Sequence, residues 1–169
     1  MQPDELRSML TSFAAERVAL IERHEAGARE VSHYDFNNAY QYVIAREETH
    51  LSWLQAALAE LGTSSLPPAA TSISVPAVPK PGRTADPSAY RGILDDDARH
   101  IAAFVERWRK PVAGVTHARH RTMLNVILGE SVEHQRLFEQ AAAGSEDVIG
   151  RRTTHAARVG AVLPNRWME

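Results

Sequence analysis

The stretch YQYVIAREETHLSWLQAALAELG, residues 40–62, decides how this chain is read. Tyr40, Val43, Glu47, His50, Leu54, Ala57 and Leu61 recur at alternating spacings of three and four, the row that a helix turns toward its bundle neighbours. In the middle of that row stand a carboxylate and an imidazole, as Glu-x-x-His. Burying a charge alone is expensive, so residues placed there need a compensating charge or a metal. The pattern points to a metal–carboxylate site inside a helical bundle.

Working outward, Pro3 with Asp4 and Glu5 suits the first turn of a helix. Leu6, Leu10, Phe13, Leu20 and Gly27 then recur at helical spacing until about Val31, and residues 32–35 read as a turn. The second helix runs from about Phe36 to Leu61, with Gly62 as its cap. From 63 to 87 the composition changes: prolines stand at 67, 68, 76, 79, 81 and 87, a density of missing donors that no helix or central strand tolerates. Tyr90, Ile93, Leu94, Ile101, Phe104, Val105 and Trp108 outline a third helix that stops at Pro111. A fourth, from about Thr116, carries Met123, Ile127, Leu137, Phe138 and Ala141 on one face and ends near Gly144. An arginine-rich, irregular tail occupies 146–169.

These elements predict an all-α, ferritin-like four-helix bundle over residues 1–145. Helices of about 25 residues are about 38 Å long. Short loops make each sequential pair an antiparallel hairpin, and a connection of about 25 residues at about 3.3 Å each can run the bundle's full length. One long crossover between two hairpins is the ferritin-like arrangement. The competing arrangement is a disordered linker joining two separate hairpins.

Composition narrows the chemistry. With 169 residues, 44% hydrophobic and 24% charged, the chain is sized for one globular domain. A net charge of −2 gives no argument for nucleic acid or an anionic membrane. There is no cysteine, so disulfides, iron–sulfur clusters and thiolate zinc sites are excluded, and any metal must take oxygen and nitrogen ligands. Without a signal-length or membrane-spanning apolar stretch, a cytoplasmic location is the expectation.

Each helix offers ligands. On the second they are Glu47 and His50. On the third, Asp97 and His100 repeat the acid-x-x-His pattern, with Ile101 competing with His100 for the seam. The fourth presents Glu130 and His134, and Glu133 could replace His134 as the inner residue. On the first, Glu16 falls between Phe13 and Leu20, although Arg17 fits the same row and Glu22 or His24 could compete. Counted from their turns, Glu16, Glu47, Asp97 and Glu130 all fall roughly 21–25 Å along their helices, so they are expected to converge at one level. Carboxylates that bridge two cations and imidazoles that complete the shell suit iron or manganese.

At these residues the chain resembles the ferritin-like superfamily, in particular the rubrerythrin-like di-iron carboxylate proteins. The resemblance covers about residues 5–145. In that family each hairpin supplies a glutamate from its first helix and an acid-x-x-His from its second, and Glu16 with Glu47 and His50 matches the first half. The second half departs: Asp97 stands where a glutamate is usual, His100 adds an imidazole, and Glu130 pairs with Glu133 or His134. The resemblance implies two iron or manganese ions per chain, and oxidation of ferrous iron or reduction of peroxide with a separate redox partner. A homodimer is expected.

Two other readings compete. One is a metal-free interaction protein that dimerises and keeps a buried Glu/His/Asp hydrogen-bond network. The other is a single-metal hydrolase or transferase using His50, His100 and His134 with zinc or nickel. His117 and His120, near the second turn, are expected to face solvent. Arg151, Arg152, Arg158 and Arg166 with Trp167 are expected to dock the tail on the bundle or on a second subunit.

Overall fold

A computed structural model describes residues 2–70, 74–78 and 86–150. These residues form four helices: α1 (Pro3–Glu30), α2 (Tyr34–Glu60), α3 (Arg91–Ala113) and α4 (Ala118–Ala142), with a short 3₁₀ turn, Pro87–Tyr90, leading into α3. No strand occurs among the described residues. None of their helices is long and apolar enough to cross a membrane. Most of the tail, from 151, and parts of the proline-rich connection lie outside the described residues, so the docking expected of the tail arginines and Trp167 lies there too.

The ends follow from local chemistry. Pro3 opens α1, and the Glu5 carboxylate accepts a bond from the Gln2 N–H at 2.8 Å, satisfying a donor the helix leaves free. At the end of α2, Gly62 takes φ +83°, and the N–H of Thr63 folds back on the Leu58 carbonyl at 2.9 Å. The sequence reading stopped α3 at Pro111, but the helix runs on to Ala113. Proline in the last turn forfeits one bond, and the Gly114 N–H closes the end onto Lys110 and Pro111.

Helix α1 packs most extensively on α2, and α3 on α4, each pair joined by a short turn. The cross-pairs are α1 with α3 and α2 with α4. Arg23 meets Asp97 while Glu16 meets Arg107, so α1 and α3 run antiparallel. Arg46 meets Glu130 while Glu60 meets Arg119, which sets α2 and α4 antiparallel as well.

One row from each helix builds the core. On α1 it is Leu10, Phe13, Arg17, Leu20, His24 and Gly27; on α4 it is Leu124, Ile127, Ser131, His134, Phe138 and Ala141. Both alternate three and four without a break, the stripe that keeps one helix face inward. Aromatic rings fill the wide places: Phe13 lies edge-on to Phe104 and Trp108, and Tyr40 leans on Phe138. Gly27 lets Tyr40 in, since a Cβ there would stand 2.9 Å from the phenol oxygen.

Candidate functional site

Two polar clusters interrupt this core, and each is organised around an arginine of α1. Arg17 is fully buried. It donates to Glu47 Oε1 at 2.8 Å and to Ser131 Oγ at 2.5 Å, with its guanidinium 4.6 Å above the Phe104 ring. The second Glu47 oxygen meets His24 Nδ1 at 2.7 Å. The Ser131 hydroxyl in turn donates to the Ile127 carbonyl at 2.7 Å. His50 and His134, both buried, stack at 6.2 Å beside this group, with His134 Nδ1 4.0 Å from Glu47 Oε1. His50 Nε2 reaches Glu130 at 2.9 Å, and Arg46 closes the outer side of Glu130 with two contacts.

The second cluster lies about 9 Å further along α1, six residues at the helical rise. Here Arg23 donates to Asp97 at 2.6 Å, to Asp96, and to the Ser74 carbonyl of the connecting segment at 2.7 Å. Tyr40 donates to the other Asp97 oxygen at 2.5 Å.

Electrostatics separate the groups. Burial works against the charge on Glu47, but His24, Arg17 and His134 outweigh it and hold the carboxyl down at about 2. Burial pulls His24 down, and Glu47 more than reverses this, so its net shift is upward. Burial and the Arg17 charge lower His50, and burial takes His134 down to about 4 despite Glu47. Both are therefore neutral at pH 7. Burial lowers Arg17, although Glu47 opposes it. Burial also raises Asp97, against the pull of His24, Tyr40 and Arg23, and raises the Tyr40 phenol. The Arg46 hydrogen bond is the main reason Glu130 is lowered.

The seven residues expected as ligands are thus dispersed. Glu47, His50 and His134 come together around Arg17, and Glu130 flanks them, half-buried. Glu16 does not join them. It points away and pairs with Arg107 at 2.5 Å, because one step of about 100° around α1 gives the inner place to Arg17. His24 is the other inward residue, while Glu22 is exposed. Asp97 is buried, but in the other cluster, so the four acids do not share one level. His100 turns outward, half exposed, onto the Asp96 carbonyl, and Ile101 takes the seam. On α4 His134 is the inner residue, and Glu133 faces outward to Arg136. His120 departs from the expectation too. It is buried beneath Glu60, and its backbone N–H is capped by His117.

As these side chains stand, they do not fit a pair of metal ions. Bridging needs carboxylate oxygens free to take two cations. Here both oxygens of Glu47 and both of Asp97 already face a guanidinium, an imidazole or a phenol. No group of three histidine, aspartate or glutamate side chains is disposed to hold a metal among the described residues. In the sequence Arg17 figures only as a rival of Glu16 for the seam, and Arg23 and Ser131 are not singled out at all. The signal for Arg17 is its place on the α1 row between Phe13 and Leu20; Arg23 stands one residue before that row's His24.

Compared with family models, with curated proteins and with solved structures, the chain finds no match in any of the three.

Proposed function

We propose that this chain is a ferritin-like bundle whose centre is neutralised by its own arginine in place of metal, and that it works by association rather than by redox turnover. The single observation that carries the reading is the Arg17 guanidinium between Glu47 and Ser131, a positive charge where a metal-binding bundle needs room for cations. The helix register supports the ferritin-like part. Since α1 runs antiparallel to α2 and to α3, helices α2 and α3 run the same way, and the connection between them has to travel the bundle's length. Two described contacts lie along that route: Ala70 N–H to the Ala15 carbonyl at 3.0 Å, and Ser74 to Arg23.

The test is elemental analysis of protein purified from cells grown with added iron and manganese. The expected result is far less than one ion per chain, in the parent and in Glu47→Gln alike. About two ions per chain, lost in Glu47→Gln, would overturn the reading.

One observation favours the metal-binding alternative in a reduced form. His50 and His134 are buried, neutral, and each has an Nδ1 without a hydrogen-bond partner, beside the half-buried Glu130. As they stand, the three are not disposed to hold an ion. With Glu130 released from Arg46 and both imidazoles turned toward it, they would hold a single iron or manganese ion, which would supply ferrous oxidation or peroxide reduction with a separate electron donor. Cobalt(II) titration tests it: visible d–d bands that vanish in His134→Gln support the alternative, and a featureless spectrum removes it.

A further inference from the structure

Away from the two arginine clusters, one buried imidazole is left without any hydrogen bond to its ring. His120 stands in the first turn of α4, beneath Glu60, the last residue of α2, and is only 4% exposed. Both of its ring nitrogens are buried without a hydrogen-bond partner, and no other histidine among the described residues has both in that state. His24 and His50 meet their carboxylates at 2.7 and 2.9 Å, ordinary hydrogen bonds. His120 Nε2 stops 3.5 Å from Glu60 Oε2, too far for one. A buried polar atom left unmatched is costly, so a partner from outside the chain would be stabilising.

That separation suits a metal ion. A divalent transition ion takes imidazole nitrogen and carboxylate oxygen at about 2.0–2.2 Å, and tetrahedral placement then sets the two ligand atoms about 3.3–3.5 Å apart. His120 Nε2 and Glu60 Oε2 already stand at that distance. His117, three residues earlier and so on the same side of the helix end, offers a third group. Its ring centre lies 4.2 Å from that of His120. Two imidazoles on one tetrahedral ion have centres about 5 Å apart, so an opening of about 1 Å seats it. His117 is exposed, and the bond its Nδ1 accepts from the His120 N–H is long, 3.4 Å, so turning costs little. As they stand, two of the three groups face one point, and the third completes the set by moving. Arg119 holds the other Glu60 oxygen at 2.9 Å, the kind of outer contact that orients a ligating carboxylate. Trp53, Ala57 and Met123 line a hollow of about 210 Å³ beside His120, with room for an ion and a bound water. Burial, together with His117, keeps His120 below its usual range, in the neutral form that binds metal.

We infer that Glu60, His117 and His120 form a site for one divalent transition ion, zinc above all, which clips the end of α2 to the start of α4. The site is independent of how the bundle centre is neutralised, since Ser131 lies about 16 Å further along α4. Two imidazoles and a carboxylate suit zinc, whereas manganese and magnesium seek oxygen. The negative end of α2 and the positive end of α4 meet here and offset each other, so the ligands decide. One ligand has to move and the Arg119 charge opposes a cation, which sets Kd on the order of micromolar.

Calorimetric titration of zinc chloride into the metal-free full chain at pH 7 tests this. One zinc per chain is expected. His120→Gln, Glu60→Gln and His117→Gln should each raise Kd at least about tenfold. Glu60 and His117 lie at the surface, so their variants should keep the parent's circular dichroism and urea midpoint, and they carry the test if His120→Gln unfolds. Saturating zinc should raise the urea midpoint of the parent and not that of Glu60→Gln. No binding up to about 1 mM zinc overturns the inference. So does binding that none of the three variants weakens, or that His134→Gln abolishes while these leave it intact, because the ion would then sit at the bundle centre. A loss confined to His120→Gln, with its urea midpoint lowered, reports unfolding and overturns it too. Iron and manganese content reports on the bundle centre, and its outcome leaves this site as it is.

Discussion

The two buried arginines of α1 look alike and are solvated by the protein in different ways. Arg17 faces one carboxylate, a hydroxyl and an aromatic ring, with its side chain wholly enclosed. Arg23 faces two carboxylates and a main-chain carbonyl, with a sliver of its side chain still reaching water. The first cluster spans α1, α2 and α4; the second fastens α1 to α3 and to the connecting segment. Breaking a buried pair by removing one partner costs about 3–5 kcal/mol, because the other charge stays behind in a low dielectric. The cost shrinks where the abandoned charge keeps other donors or meets solvent. Position within the core, more than the type of ion pair, should set the ranking.

The largest effect is therefore expected at Arg17. Arg17→Met leaves Glu47 with His24 as its one close partner, and urea denaturation should record a loss of about 3–5 kcal/mol. The double variant Arg17→Met, Glu47→Leu removes both charges and should recover most of that loss. A single-variant cost below about 1 kcal/mol would mean that Glu47 was protonated all along, and the comparison would fail. Arg23→Met should cost less, about 2 kcal/mol, since Asp97 keeps the Tyr40 hydroxyl and Asp96 is partly exposed. Amide exchange should tell the two apart. Ser74, Val75, Ala77 and Val78 should exchange faster in Arg23→Met, whose guanidinium holds the Ser74 carbonyl, and no faster in Arg17→Met.

Acid provides the next comparison, because only the Arg17 cluster contains buried neutral imidazoles. His134 sits at about 4 in the folded chain against an ordinary 6.5, so the unfolded chain binds this proton more readily. The stabilisation is complete above about pH 6.5 and is lost as the pH falls toward 4, about 3 kcal/mol in all. Glu47, held at about 2, adds a second loss that begins near its ordinary value of 4.5 and continues downward. His134→Gln should make the first limb of the stability–pH curve shallower, with His50 supplying the remainder, and leave the second. A wild-type curve level from pH 7 to 4.5 would show that His134 is not buried neutral.

How far the sequence could be read follows from its spacing. The four helices were legible because apolar residues recur at three and four, and the break between the hairpins because six prolines interrupt the chain from 67 to 87. The α2 row was legible from Tyr40 to Ala57, and Glu47 and His50 are buried with it, while Leu61 falls just past the helix end and is half-buried. On α1, Leu10, Phe13 and Leu20 leave a gap that either 16 or 17 can fill. Taking Gly27 as part of the same row, with strict alternation, gives 17 and 24. On α3 the same counting from Asp97 through Phe104 and Trp108 chooses Ile101 over His100. On α4 two rows run side by side, and the sequence alone favours neither the one through Ser131 nor the one through Glu130. The identity of the counter-charge was not legible at all. A buried carboxylate announces that it needs a cation, and a guanidinium on a neighbouring helix satisfies that need as well as a metal does.

The smallest expected effect makes the same point in energy. Glu16 and Arg17 are adjacent, and each forms a close ion pair across a helix boundary. The Glu16 pair, with Arg107 more than half exposed, gains little from Coulomb attraction in water and gives up side-chain freedom to form. Glu16→Ala should change the unfolding free energy by less than about 0.5 kcal/mol, and added salt should abolish even that difference. Glu47→Ala, by contrast, should cost several times more at any ionic strength, because it strands Arg17 in the core. If the two glutamate variants fell within experimental error of each other, burial would not be what separates these neighbouring pairs, and the assignment of Arg17 to the seam would be wrong.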